Sequence, residues 1–472
     1  MLKLRAGILS ALVLGTATVI GAEHGPPTFL PNLFPFPNPN GVLETFSNSG
    51  KLDLTGPFFQ SLGTNGRSCA TCHQASDAWS VSAAHIADRF EQTQGLDPIF
   101  RTNDGSNCDH NIDITTPDGR RQAYSLLTSR GLIRIALSAA PANAEFEVVS
   151  VNNKYGCNET ATLSMYRRPL PSTNLRFLTT VMWDGRESSG NGFGTTPITP
   201  ATYPGALQSD LLHQSVDATR GHAQATGDPT PTQQLQIVMF EMGLSTAQTV
   251  VHGAGSLDAN GASGGPVALY NQPFYVGIND PLGQNPTIPP PPFNPVIFTL
   301  FTPTWAHAQS DNGRASILRG QTLFNSRPIN ITDVAGLNDN PKVNGPLTGT
   351  CGTCHDSPNV GNHSVIAPLN IGIADLTNPL GVDYLPVITL KNKTTQETKS
   401  TTDPGRALVT GKWEDIGKFK GPILRGLSAR APYFHNGSAE SLKDVVKFYN
   451  IRFSMGLTDS EQADLAAFLS TL

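Results

Sequence analysis

Cys69-Ala70-Thr71-Cys72-His73 and Cys351-Gly352-Thr353-Cys354-His355 are two copies of one pattern, C-x-x-C-H. In that pattern two thiols add to the vinyl groups of a haem, and the adjacent imidazole becomes the proximal iron ligand. The C-x-x-C spacing is shared with half a zinc site and with redox dithiols. Zinc would need two further ligands beside each pair, and a dithiol motif has no reason to end twice in His. The expectation is therefore two covalently bound haem c groups, one on Cys69, Cys72 and His73 and one on Cys351, Cys354 and His355.

The text around the motifs repeats. Gly56-Pro57-Phe58-Phe59-Gln60-Ser61-Leu62-Gly63 precedes the first, and Arg319-Gly320-Gln321-Thr322-Leu323-Phe324 precedes the second. Both predict a short helix leading into an attachment loop. Downstream, Thr232 to Leu244 and Thr458 to Leu469 each carry apolar residues at three- and four-residue spacing behind a Thr suited to capping. A cytochrome c domain closes in this way, with its last helix packed on its first. The expected fold is mainly α: two cytochrome c-type haem domains with long loops. The first spans 23–252 with an insertion at 74–180, where Phe146-Glu147-Val148-Val149-Ser150-Val151 predicts a strand. The second spans 312–472, and the Gly/Pro-rich stretch 253–311 reads as a connection or as a surface excursion over the first domain.

Composition fits a chain wrapped around large apolar groups. With 45 Gly, 37 Pro and 38% hydrophobic residues in 472, side chains alone offer a modest core, to which a macrocycle adds a ready apolar element. A net charge of −5 gives no support to nucleic-acid binding. Residues 1–22, with Lys3 and Arg5 before the apolar run Ile8 to Ile20 and then Gly21-Ala22, have the form of a signal peptide. Periplasmic export is expected, with no membrane span after cleavage, since no later segment nears the ~20 apolar residues required. In that oxidising setting the two cysteines outside the motifs, Cys108 and Cys157, can form a disulfide; buried free thiols are the alternative.

Three further stretches carry a family resemblance: Trp183-Asp184-Gly185-Arg186, Phe419-Lys420-Gly421-Pro422-Ile423-Leu424-Arg425-Gly426 and Ala431-Pro432-Tyr433-Phe434-His435-Asn436-Gly437-Ser438. In this order around the two haem motifs, the sequence resembles the bacterial di-haem cytochrome c peroxidases, including their MauG-like branch. The resemblance implies that His73 ligates the haem where peroxide reacts and His355 the haem that accepts electrons and passes them on. It implies that Trp183 lies between the haems as an oxidisable bridge; an ordinary buried aromatic is the alternative. In the family the sixth ligand of the second haem, Met or in the MauG-like branch Tyr, falls fourteen residues after the His of P-Y-F-H. Here that position is Tyr449, with Met455 the competing ligand. A phenolate favours the ferric state and a thioether raises the potential.

The distal side of the first haem departs from the pattern. The resemblance puts Gln214 in the place of the family's distal Gln, but ten residues later stands Gln224 rather than Glu. His222 is the candidate acid–base group, because an imidazole exchanges protons near neutral pH; a surface loop His is the alternative. His85 could be a removable iron ligand, although its spacing from His73 is short and a solvent-facing helix position suits it better. Glu241 falls in the closing helix and reads as structural. His213, His252 and His363 have no motif support. Some members bind calcium through two carbonyls, here those of Arg430 and Pro432, and an Asn whose place is taken by Arg168. A cation there argues against the metal.

The first functional expectation is a periplasmic oxidoreductase reducing hydrogen peroxide to water, with electrons from a small periplasmic donor protein, a cytochrome or a cupredoxin. The second is a MauG-like oxidase modifying a protein or organic substrate. The third is a non-catalytic di-haem electron carrier.

Overall fold

Closing helices form in both halves, and their caps show how local sequence sets their ends. Asp459–Leu469 starts at Thr458, whose hydroxyl accepts from the Glu461 amide in a capping box. In the first half the helix is Pro231–Met242 and the cap is Thr230 rather than Thr232. Pro231 decides this, since its fixed φ suits the first helical position and leaves the preceding Thr to cap. Leu244, at the end of the apolar run, belongs to the strand Leu244–Val251. The computed structural model describes residues 27–108, 112–190, 194–306 and 312–472. The proposed signal peptide lies outside the described residues.

Each closing helix packs on the element preceding the opposite end of its half. Asp459–Leu469 lies against Asn312–Ser326 so closely that a Cβ on Gly320 would sit 2.0 Å from the Asp464 carbonyl oxygen. Phe298, Phe324 and Phe468 meet there with ring centroids 5.1 to 5.8 Å apart. In the first half the partner is a single 3₁₀ turn, Pro57–Phe59, where a short helix is expected. Phe58 nonetheless meets Phe240 at 4.9 Å, and Trp79 meets Phe240 at 5.3 Å.

The described residues hold ten α-helices and thirteen short strands, more strand than the expected mainly-α fold. Two sheets matter for the site. Gly41–Ser47, whose buried residues alternate, pairs antiparallel with Leu244–Val251. This period-2 pattern marks a half-buried strand, and it supports Trp79, whose Nε1 donates to Thr45 Oγ1 at 3.0 Å. The expected strand of the insertion is present as Phe146–Asn152, and it pairs antiparallel with Val387–Asn392 of the second half. Phe146, Met165, Ile388 and Leu390 share one core cluster beneath that pairing. Cys108 and Cys157 are disulfide-bonded, with Cα atoms 5.1 Å apart.

The Gly/Pro-rich stretch 253–311 does more than connect. Its start, Gly265–Tyr270, packs beside the first sheet through Leu269, which shares a core cluster with Ala247. Further on, Ile297, Phe298, Phe301 and Trp305 are part of the large core of the second half. Irregular backbone can be buried there because side chains replace the missing ladder. Asn325 Oδ1 accepts from the Ile297 and Phe298 amides at 3.0 and 3.1 Å, and its Nδ2 donates to the Phe298 carbonyl at 2.7 Å.

Asn325→Ala therefore strands three buried backbone groups. We expect about 3 kcal/mol lost from unfolding free energy, read as a lower urea midpoint. An unchanged midpoint would show that the segment is held by apolar contacts alone.

Candidate functional site

Two cavities of matched volume, about 180 Å³ each, are each walled by one C-x-x-C-H motif. Their attachment turns have the same local structure. Cys69–Thr71 and Cys351–Thr353 are 3₁₀ turns, and the Ser68 and Thr350 amides donate to Thr71 and Thr353 hydroxyls at 2.9 and 3.0 Å. The His73 and His355 amides each reach the carbonyl of the motif's first Cys at 3.0 Å.

Each ring is then fixed by a carbonyl six residues on. His73 Nδ1 lies 2.9 Å from the Trp79 carbonyl, and His355 Nδ1 lies 2.6 Å from the Gly361 carbonyl. A carbonyl can only accept, so Nδ1 carries the proton and Nε2 keeps a free lone pair, the arrangement of a metal-ligating imidazole. Burial pushes both rings down to about 4, which keeps that lone pair available at neutral pH. The four motif thiols are unpaired, and burial pushes Cys69, Cys351 and Cys354 up to about 12. Such thiols are poor redox nucleophiles. The donor sets fit covalent haem and do not fit a dithiol.

Trp183 lines both cavities and is buried, its Nε1 donating to the Arg168 carbonyl at 2.8 Å. The following motif residues build an ionic support behind it. Asp184 takes Arg167 at 2.5 Å and Arg186 at 3.1 Å, and Arg167 also holds Asp403 at 2.7 Å. Burial alone would raise the Asp184 carboxyl, but Arg186 and Arg167 outweigh it and hold the group well below its ordinary range. His435 stacks on Phe419 at 3.8 Å and meets Trp183 edge-on at 6.1 Å, on the side of the second cavity.

In the first cavity the structure brings together Gln214, His222 and His73. Gln214 comes from the helix Gly205–Gly221, which His222 terminates. His222 Nδ1 lies 2.9 Å from Asp104 Oδ2, and Asp104 is also paired with Arg67. Burial would raise Asp104, but His222 and Arg67 together hold it low, so the carboxylate stays ionised and fixes the tautomer of His222. Gln224 turns elsewhere, its side chain meeting Asn65. His85 is absent from the cavity lining; half-exposed on the helix Ala83–Thr93, it pairs with Asp77 at 2.5 Å.

Sequence reasoning missed several groups. Asp104 and Arg67 carry no motif. His363, unsupported by any motif, lines the second cavity with Nε2 unpartnered. Glu241 lies in the closing helix as expected, yet its side chain lines the first cavity, and burial pushes it up to about 7. Ser172 links it to the proximal ring, touching Glu241 and lying 3.1 Å from His73 Nδ1. In the second cavity both Tyr449 and Met455 line the wall. Tyr449 packs against the core of the second half, and burial raises its phenol. At the position considered for calcium, the Arg168 guanidinium donates to the Arg430 carbonyl at 2.8 Å and to the carbonyls of Val81 and Arg130 at 2.5 and 2.8 Å.

Among known proteins, the chain is similar to a cytochrome-c peroxidase of Denitromonas iodatirespirans, 31% identical over 142 residues. That stretch takes in 26% of this chain and 36% of the relative. A cytochrome c551 peroxidase of Nitrosomonas europaea is 32% identical over 123 residues, 26% of this chain and 30% of the relative. The chain thus matches about a third of the length of these curated relatives. The crystal structure of a MauG-like protein associated with microbial copper homeostasis aligns over 88% of this chain and 87% of its own, at 14% identity and a TM-score of 0.35. No family model matches.

Glu241 gives a pH dependence whose sign follows from its raised value. The folded state holds that proton up to about 7 and the unfolded chain only to about 4.5, so stability contributed below 4.5 is lost as pH rises through 7. Urea unfolding of the wild type at pH 5 and pH 8 should differ from that of Glu241→Gln by about 3 kcal/mol over this window. Parallel profiles would remove Glu241 from the account.

Proposed function

We propose that this chain, similar over about a quarter of its length to bacterial cytochrome-c peroxidases, is a c-type di-haem oxidoreductase that reduces hydrogen peroxide to water. The observation that carries the reading is the pairing of two cavities, each with a C-x-x-C-H imidazole, across a wall containing Trp183. Cys69 and Cys72 would hold one haem and Cys351 and Cys354 the other, with His73 and His355 as proximal ligands. Haem c held there would supply a redox-active iron at each site, one for the reaction of peroxide and one for taking up electrons.

The side chains divide the remaining work. Reduction of hydrogen peroxide takes two electrons and two protons and yields two waters, so the first cavity must move protons. His222 is placed for this: Asp104 secures Nδ1–H and leaves Nε2 to take and return a proton. Gln214, in the same wall, offers an amide to orient peroxide. Trp183 lines both cavities and, held by the Arg168 carbonyl and flanked by the Asp184 ion pairs, keeps a fixed position for electron transfer. Tyr449 is the proposed sixth ligand at the second site and Met455 the alternative. The Cys108–Cys157 disulfide supports an oxidising compartment, the periplasm, and a small donor cytochrome or cupredoxin there would supply electrons. No helix among the described residues is long and apolar enough to cross a membrane.

A second reading, oxidation of a protein or organic substrate, draws support from Tyr449, which lines the second cavity. Stoichiometry separates the two. A peroxidase oxidises two equivalents of a reduced one-electron donor per peroxide; a long-lived oxidised state without donor turnover would favour the second reading and overturn the first.

His222→Ala should slow the reaction with stoichiometric peroxide about 100-fold, measured by stopped-flow absorbance; an unchanged rate removes its acid–base role. Tyr449→Phe should alter the optical and paramagnetic spectrum of one haem only. If Met455→Leu does so instead, the ligand is Met455.

A further inference from the structure

The stretch Phe419-Lys420-Gly421-Pro422-Ile423-Leu424-Arg425-Gly426 contributes side chains to both cavities. It runs extended along the wall between the cavities. Its backbone is pinned at both ends, the Phe419 amide to the Leu369 carbonyl at 3.0 Å, the Lys420 amide to the Trp183 carbonyl at 3.0 Å and the Gly426 amide to the Leu472 carbonyl at 2.7 Å. Alternation along an extended chain sends neighbouring side chains to opposite faces. Accordingly Ile423 and Arg425 line the first cavity, Leu424 the second, and Lys420 and Pro422 both.

The cations around the two cavities fall into two groups. Arg67 is paired with Asp104, Arg167 with Asp184 and Asp403, and Arg186 with Asp184. Arg168 is saturated by the carbonyls of Arg130, Val81 and Arg430. Lys420, Arg425 and Arg430 are different. All three are buried, and none has a carboxylate partner among the described residues. Lys420 Nζ has one carbonyl, that of Thr180 at 3.1 Å. The Nε atoms of Arg425 and Arg430 have no partner at all, and their other nitrogens make only long contacts, 3.5 Å to the Asn359 carbonyl and 3.3 Å to the Ile423 carbonyl.

Three buried cations without counter-charge are costly, and a fold retains such charges where something else neutralises them. Arg425 faces the first cavity, Arg430 the second and Lys420 both. A haem carries two carboxylate side arms. We infer that these cations receive the carboxylates of the two bound haems, Arg425 serving the first site, Arg430 the second, and Lys420 both at once. The inference rests on the di-haem reading. It also gives Lys420 a further property: as one charge beside two redox groups, it raises both their potentials.

Potentiometric titration of the purified holoprotein tests this. A nearby cation disfavours the ferric state, so its loss lowers the midpoint potential. Lys420→Met should make the one-electron reduction of each haem on the order of tenfold less favourable, ~59 mV. Arg425→Gln should lower only the first midpoint and Arg430→Gln only the second, while Lys420→Arg should keep both near wild type. Haem content per chain, from the pyridine haemochrome spectrum, separates the two levels. If the wild type does not carry two haems, the di-haem reading fails and this inference with it. If it does, and Lys420→Met moves one midpoint or neither, the shared-cation assignment alone is overturned. A Lys420→Arg protein that loses both potentials equally would also overturn it, since charge would then not be what matters.

Discussion

The site depends on one hydrogen bond made twice: Nδ1–H of the motif imidazole to a backbone carbonyl six residues further on. That bond decides which nitrogen faces the cavity and prevents the ring from turning. It is only as firm as the carbonyl that accepts it. In the first half the carbonyl belongs to Trp79, whose indole is wedged among Phe58, Phe59 and Phe240 and anchored to Thr45 on the central strand. In the second it belongs to Gly361, a residue with φ of +81° pressed against Phe298 and Leu424. Two dissimilar structures hold two equivalent rings.

Much of this was legible because it is local. The attachment motifs, the Thr458 cap and the strand at Phe146 follow from short patterns with a mechanical meaning, and the place of Trp183 between the cavities from the family resemblance of its W-D-G-R motif. The stretch before the first motif, expected as a short helix, is a single 3₁₀ turn from Pro57 to Phe59. What escaped notice was tertiary. Asp104 lies 118 residues from His222, and nothing in the intervening sequence announces that they meet. Glu241 shows a subtler limit. Helical periodicity correctly assigned it to a packed face, but the face is packed against a cavity, and a carboxyl there has a chemical consequence that a leucine would not.

The wall between the cavities carries an unusual density of buried charge. Acidic partners hold Arg167 and Arg186, and carbonyls hold Arg168, in a framework around Trp183. Ion pairs of this kind contribute little net stability, since desolvation offsets most of the attraction. Their effect is geometric: Arg and Asp side chains accept few alternative arrangements, so an aromatic ring set among them keeps its place when the cavities fill. The apolar clusters supply the stability, and the charges supply the alignment.

The pairing of Phe146–Asn152 with Val387–Asn392 has a consequence in time. A strand near the first third of the chain has its partner some 240 residues later, so this sheet is completed only once the late sequence is present. A pairing of such high sequence separation is a slow step in folding. Both attachment motifs precede Val387 in the chain, so each is present before the sheet joining the two halves can be completed. A covalent modification that needs an open motif thus has its opportunity built into the order in which the sheet is completed.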